Sequence, residues 1–73
     1  MKLFKRRKAE KNSKFKLTDF VEFYYKDEIC YGTITDIYYK EENKIFYDID
    51  LAGQCPTTIE NIEESKVIKI HKN

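Results

Sequence analysis

Few side chains in this sequence are of the types that carry out chemistry. The single histidine, His71, has no cysteine, serine or carboxylate at a spacing typical of a catalytic or metal site. Cys30 and Cys55 are 25 positions apart and form no CxxC motif, which predicts free thiols that pack as small hydrophobic residues. Asp48 and Asp50 share one face of a predicted strand without a third ligand, so we interpret them as solvated surface residues. The sequence therefore predicts a protein without catalytic activity, metal or cofactor.

The residues best suited to binding are the aromatic ones, which number eleven of the 73. About half must fill the core of so small a domain. Strand alternation predicts that Tyr24, Phe46 and one of the Tyr38 and Tyr39 pair face outward. The candidate partner-binding patch combines such rings with carboxylates that favour cations over phosphates: Tyr24, Tyr31, Tyr38, Tyr39, Phe46, Asp36 and Asp48. The alternative is that the rings only stabilise a small sheet by cross-strand pairing.

The charge of the chain changes sign near residue 16. Residues 1–16 hold eight basic side chains against Glu10 alone, a net charge of +7, whereas residues 17–73 hold six lysines against twelve carboxylates, a net charge of −6. A polyanion such as nucleic acid is attracted to the first segment and repelled by the second. The candidate polyanion-binding residues are Lys2, Lys5, Arg6, Arg7, Lys8 and Lys11. Two alternatives stay open: the basic segment only balances the acidic body, or Leu3 and Phe4 touch a membrane surface.

Membrane insertion and secretion are not expected from the distribution of apolar residues. No apolar run approaches the roughly 18 residues of a membrane span, and polar residues stand where a signal peptide is apolar. We therefore expect a cytoplasmic protein, a monomer or a weak dimer formed by an edge strand. Lys, Ile, Tyr and Asn supply 31 of the 73 residues, a bias of AT-rich coding that indicates a bacterial, phage or mobile-element source.

The elements that must position these residues are predicted to be short β-strands. Alternating apolar and polar residues indicate strands over 20–25, 29–40, 44–51, 57–62 and 67–71, with one helical or 3₁₀ turn over 63–66. The inner face of the third strand holds Ile45, Tyr47, Ile49 and Leu51. A register slip of one residue there would bury the carboxylates that alternate with them. The sequence thus predicts an all-β domain over residues 15–73 behind a flexible basic tail over residues 1–14.

Three segments resemble the SH3-like small β-barrels, a group that includes Tudor-like and KOW-like modules. Residues 15–21 resemble the family's aromatic and Asp-x-Val start of the first strand, residues 31–37 its Gly-x-Val-x-x-Ile second strand, and residues 62–67 the turn before the closing strand. The resemblance implies a single five-stranded barrel in which Gly32 permits a close crossing of strands. The chain departs from the family by having no tryptophan, and by having Asp27 and Glu28 where a KOW-like glycine is expected.

Two functional hypotheses fit these residues. The leading one is a non-catalytic binding module that presents the aromatic and acidic patch to a protein partner, with the basic tail adding electrostatic attachment. The rival is a nucleic-acid-binding accessory protein, whose tail contacts phosphates and whose exposed tyrosines stack on bases. A tail that folds beside the aromatic residues favours the rival, and an acidic face remote from the tail favours the leading hypothesis.

Overall fold

Five antiparallel strands and one two-residue strand make up the structure, a computed structural model that describes residues 7–40, 43–53 and 57–71. The strands are β1 (Arg7–Lys8), β2 (Phe20–Tyr25), β3 (Glu28–Lys40), β4 (Lys44–Leu51), β5 (Thr58–Glu63) and β6 (Val67–Ile70), and a 3₁₀ turn spans Glu64–Lys66. Over the described residues there is no helix long and apolar enough to cross a membrane. The all-β prediction is confirmed, and β2 and β4 begin and end at the predicted residues.

The strands form one sheet in the order β5, β4, β3, β2, β6, and β1 pairs with β3 near its C-terminal end. The outer strands β5 and β6 are joined by the 3₁₀ turn and do not pair with each other over the described residues. The sheet is therefore open, which differs from the closed barrel that the resemblance implies. Over the described residues, the four-residue strand β6 pairs through one edge only, with β2.

Gly32 lies where β3 passes very close to β4. A Cβ atom on this residue would lie 2.3 Å from the carbonyl oxygen of Asp50 and 2.6 Å from Cγ2 of Ile49. Both distances are far inside van der Waals contact, so only glycine fits without movement of the neighbouring strand. The close approach predicted at Gly32 is confirmed.

The core is formed by inward-facing residues of β2, β3 and β4. The most deeply buried are Val21, Phe23, Ile34, Ile37, Tyr47 and Ile49, each at most 1% exposed. Ile45 and Leu51 are partly buried and pack against the same cluster, so the inner face of β4 is the predicted one. Each of these large side chains contributes roughly 1.5–3 kcal/mol through burial.

Part of the segment predicted as a flexible tail packs against the sheet. Ala9 is 2% exposed and belongs to the core, and its N–H donates to the carbonyl oxygen of Ile37 at 3.2 Å. Ser13 is also buried. The Phe15 ring meets the Tyr47 ring edge to face, with centroids 6.1 Å apart. The packed structure therefore extends to the N-terminal side of residue 15, because a side chain as small as that of Ala9 allows the backbone to approach β3.

Replacing Gly32 with alanine should lower the free energy of unfolding by about 2 kcal/mol or more, because the added methyl group overlaps the backbone of β4. For a domain of this size the loss corresponds to a fall in Tm of roughly 10 °C, measured by circular dichroism. Glu28→Ala, at an exposed position of the same strand, is the control and should shift Tm far less. An unchanged Tm for Gly32→Ala would contradict the close crossing.

Candidate functional site

A shallow groove of about 480 Å³ lies between the turn after β2, strands β4 and β5, and the 3₁₀ turn. Three aromatic side chains line it, those of Tyr24, Tyr25 and Phe46. Its charged residues are three carboxylates and two lysines: Asp27, Glu60, Glu63, Lys26 and Lys66. The groove therefore combines aromatic surface with a mixed and slightly acidic rim.

Two residues of the predicted partner-binding patch, Tyr24 and Phe46, meet in this groove. Tyr24 is 48% exposed, as strand alternation predicts. Phe46 is only 7% exposed, although the same alternation predicts an outward ring. Its ring is covered by neighbours, because the Tyr38 ring stacks on it at 6.4 Å between centroids and Nζ of Lys40 lies 5.7 Å from its centroid. Tyr24 is therefore the main exposed ring of the groove.

Tyr38 and Asp48, also predicted for the patch, are buried together. Tyr38 is 1% exposed and Asp48 is 6% exposed. The Tyr38 hydroxyl donates to Oδ1 of Asp48 at 2.7 Å, and the backbone N–H of Asn61 donates to the same oxygen at 3.2 Å. A carboxylate can leave water when hydrogen bonds of this kind replace its hydration. The solvated position predicted for Asp48 is therefore wrong.

Two irregularities of the sheet lie beside Asp48, which is buried next to Tyr38 and outside the core cluster. The β3 register against β4 shifts at Thr35, which has no partner residue in β4. In β5, Glu60 and Asn61 together stand opposite Asp48. Asn61 has a φ of 62°, in the left-handed region that asparagine adopts more readily than most residues. Alternation along β4 is kept, because Ile45, Tyr47, Ile49 and Leu51 pack against the core cluster and Asp48 does not. The bulge of β5 instead brings the backbone of Asn61 to the Asp48 carboxylate on the other face of the sheet.

Tyr39 and Asp36, two further residues of the predicted patch, make contacts with the N-terminal segment. The Tyr39 hydroxyl accepts a hydrogen bond from the side-chain amide of Asn12. Oδ1 of Asp36 lies 3.2 Å from Nζ of Lys8 in an ion pair. Neither side chain lines the groove, so the predicted patch is not a single surface.

Tyr31, the last residue of the predicted patch, belongs to a cluster around His71. Nδ1 of His71 lies 2.9 Å from Oε2 of Glu22. The rings of Phe20 and Tyr31 approach the imidazole edge to face, with centroid distances of 5.6 and 4.8 Å. The cluster fastens the end of β6 to β2. Nothing in the spacing along the chain indicated it, because Glu22 and His71 are 49 positions apart.

Some of the basic residues predicted to bind a polyanion belong to the part of the chain that the structure describes, and others do not. Lys2, Lys5 and Arg6 lie outside the described residues. Arg7 and Lys8 form β1, where they pair with Tyr39 and Tyr38 respectively. Lys11 is exposed. The basic segment therefore meets the sheet beside Tyr38 and Tyr39, as the rival hypothesis requires, but Tyr38 is buried and Tyr39 is half-buried, so neither offers an open ring for stacking on a base. No described residue of the basic segment lines the groove that holds the exposed Tyr24 ring.

Glu64 in the 3₁₀ turn fastens the N-terminal segment to the core. Its Oε2 accepts hydrogen bonds from the Tyr47 hydroxyl at 2.7 Å and from the backbone N–H of Lys14 at 2.9 Å. Burial, together with the hydrogen bond to Glu64, raises the pKa of Tyr47 well above its usual range. The same hydroxyl accepts from the backbone N–H of Phe15 at 3.3 Å. Tyr47 therefore joins the core, the 3₁₀ turn and the N-terminal segment.

The contacts that the groove offers are non-covalent. Among the described residues, no three His, Cys, Asp or Glu side chains are grouped so that they could hold a metal ion. Cys30 is a free thiol, partly buried against the core, and Cys55 lies outside the described residues. The side chains that line the groove offer aromatic surface, hydrogen-bonding groups and charge.

Comparisons of the chain with protein-family models, with curated proteins and with solved structures find no match. Function therefore has to be inferred from the groove and from the charges of this chain.

Tyr38→Phe should lower the free energy of unfolding by about 1–3 kcal/mol, because it removes a donor to a buried carboxylate and keeps the ring. Urea unfolding should show a lower midpoint with an unchanged m-value. Tyr31→Phe, at an exposed ring, is the matched control and should unfold at the wild-type midpoint. The same midpoint in Tyr38→Phe would show that its hydroxyl does not stabilise Asp48.

Glu64→Gln should lower the pKa of Tyr47, because it removes the negative charge beside the hydroxyl and keeps an oxygen acceptor. The folded-state pKa lies above the ordinary value of about 10. The stability that Tyr47 contributes is therefore fully present below pH about 10, and it is lost as the pH rises from there through the folded-state pKa. The absorbance of tyrosinate, followed against pH, measures the shift in the pKa of Tyr47. The Tyr47→Phe variant shows which part of the absorbance change comes from Tyr47. Glu63→Gln is the control, and an unaltered Tyr47 titration in Glu64→Gln would contradict the contact.

Proposed function

We propose that this chain is a non-catalytic binding module that holds a segment of a protein partner in the groove beside Tyr24 and Phe46. The observation that carries the proposal is the meeting of aromatic side chains in one concave site, with Tyr24 48% exposed. Aromatic side chains are frequent anchors of protein interfaces, because they bury a large area and lose little conformational entropy.

The rim of the groove favours a partner segment in which basic side chains stand next to apolar ones. Its carboxylates outnumber its lysines, three against two. The chain after residue 16 carries a net charge of −6, so the electrostatic potential around the groove is expected to be negative, like the rim itself. A basic side chain entering the groove would meet carboxylates together with the ring of Tyr24, which also attracts cations.

We propose further that the domain is an open relative of the SH3-like barrels. The strand order, the long β3 that pairs with β2 and β4, and the 3₁₀ turn directly before β6 support this kinship. The close crossing at Gly32 supports it as well. The kinship supports a binding function only by analogy, since small folds of this kind host many functions.

Peptides selected from a phage-displayed library against the full chain test the proposed groove. Tyr24→Ala should weaken the binding of selected peptides at least tenfold in calorimetric titrations, the effect of losing about 1.4 kcal/mol at an aromatic anchor. In NMR spectra, the backbone amides of Glu60 to Glu63 and of the turn after β2 should change most on binding, because these segments line the groove.

Tyr31→Ala is the matched control. Tyr31 is 41% exposed, close to the value for Tyr24, and does not line the groove. Peptide affinity should therefore stay near that of the wild-type chain. Equal losses in the two variants, spectral changes confined to other surfaces, or no selectable peptide would each refute the proposal.

A further inference from the structure

The two end strands of the sheet each have one edge without a strand partner in the described part of the chain. β5 pairs with β4 alone, and β6 pairs with β2 alone. The 3₁₀ turn Glu64–Lys66 joins these two strands, so both free edges border the same opening of the sheet. The backbone N–H and C=O groups along such an edge are a template for pairing with another chain.

Strand β6 exposes apolar side chains although it has only four residues. Ile68 is 39% exposed and Ile70 is 41% exposed, and these are two of the six large hydrophobic side chains that are exposed in the described structure. Lys69 lies between them, and Lys66 directly precedes the strand. The strand therefore presents basic side chains next to apolar ones, which is the chemistry that the groove beside Tyr24 favours.

Strand β5 forms a wall of that groove and carries the opposite charge. Glu60 and Glu63 are its charged residues, and it has no basic side chain. The two carboxylates are three positions apart, as are Lys66 and Lys69. Opposite charges in directly opposed positions stabilise an antiparallel pair of strands. The free edges of β5 and β6 are thus complementary in charge and in spacing.

One antiparallel register of β5 in one copy against β6 in another brings all of these residues into matching positions. The opposed pairs are then Ile59 with Ile70, Glu60 with Lys69, Asn61 with Ile68, Ile62 with Val67, and Glu63 with Lys66. Two of the pairs are ionic and two are apolar. A shift of one residue in either direction would place Glu60 opposite an isoleucine, so the pattern selects this register.

The irregular positions of the two strands coincide in the same register. On β5, Glu60 and Asn61 together stand opposite Asp48, and on β6, Ile68 has no partner residue in β2. A bulge protects an edge from pairing with a regular strand. Because Asn61 would face Ile68, each irregular strand meets a partner that is irregular at the same place.

We propose that the segment held in the groove beside Tyr24 is strand β6 of a second copy of this chain, paired with the free edge of β5. This role of β6 rests on the proposed function, because Glu60 to Glu63 line that groove. Each copy has both edges, so a twofold axis joins β5 to β6 twice and closes the assembly as a dimer. The exposed isoleucines of both β6 strands are then covered.

Charge-reversal variants of the full chain test the dimer by sedimentation velocity over a concentration series. The wild-type chain should change from the mass of one chain to that of two. Glu60→Lys/Glu63→Lys and Lys66→Glu/Lys69→Glu should each dimerise at least about tenfold more weakly, because like charges then oppose each other at both interfaces. An equimolar mixture of the two variants should regain the wild-type affinity as a heterodimer, because opposite charges again face each other.

The matched controls carry the same charge changes at exposed positions outside β5, β6 and the turn between them. They are Glu10→Lys/Glu28→Lys and Lys11→Glu/Lys40→Glu. Each should dimerise within roughly threefold of the wild-type affinity, because only the general field changes. As a second measurement, isotope-filtered NOE spectra of mixed labelled and unlabelled wild-type chains should show contacts between Ile59 of one copy and Ile70 of the other.

Four results would each overturn the dimer: a chain that stays monomeric at every concentration, equal weakening in the test and control variants, a mixture that does not regain dimerisation, or no NOE between Ile59 and Ile70. The peptide titrations with Tyr24→Ala decide the proposed function separately. A monomeric chain that binds selected peptides in the groove would refute only the second copy as the occupant.

Discussion

The buried Asp48 carboxylate accepts hydrogen bonds from the Tyr38 hydroxyl and the backbone N–H of Asn61. The shape of the groove beside Tyr24 depends on that arrangement. An ionised group in a nearly dry site costs several kcal/mol unless its hydrogen bonds are made. The bulge of β5 must therefore stay in place opposite Asp48, with Asn61 in the left-handed region. That bulge fixes where Glu60 and the residues after it stand relative to Phe46. The bulge that hydrogen-bonds to Asp48 thus also places residues that line the groove.

A chain of 73 residues buries little surface, and this one uses residues that look like a tail to complete its core. Ala9 closes the core against β3, and Glu64 binds the following segment through Lys14 and Tyr47. The opposite charges that the sequence separates at residue 16 are therefore in contact in space, as in the pair of Lys8 and Asp36. The groove beside Tyr24 and a smaller groove between Lys14 and Lys44 are neighbours, because Glu63 lines both.

Strand positions could be predicted from the sequence because they rest on local patterns. Alternation over eight residues placed β4, and the resemblance of residues 31–37 to the second strand of the SH3-like barrels implied the close approach of strands at Gly32. The solvent exposure predicted for Phe46 and Asp48 was wrong, because Tyr38 and the bulge of β5 cover these side chains. Such contacts join residues that are distant in the sequence and leave no local pattern. The burial of Ala9 left no trace in the pattern, since one alanine in a basic run carries no periodicity. The candidate site was predicted only in part: Tyr24 and Phe46 were singled out, but Tyr25 and the carboxylates of the groove were not.

The position of β3 in the sheet has a consequence for how the molecule comes apart. This strand of 13 residues separates the pair β4 and β5 from the pair β2 and β6. Without it, the described sheet would be reduced to two ribbons of two strands each, and such ribbons are at best marginally stable in water. Local opening around β3 is then equivalent to losing the whole sheet. We therefore expect the central amide hydrogens of β3 to exchange with solvent only when the entire domain unfolds, as in a single cooperative unit.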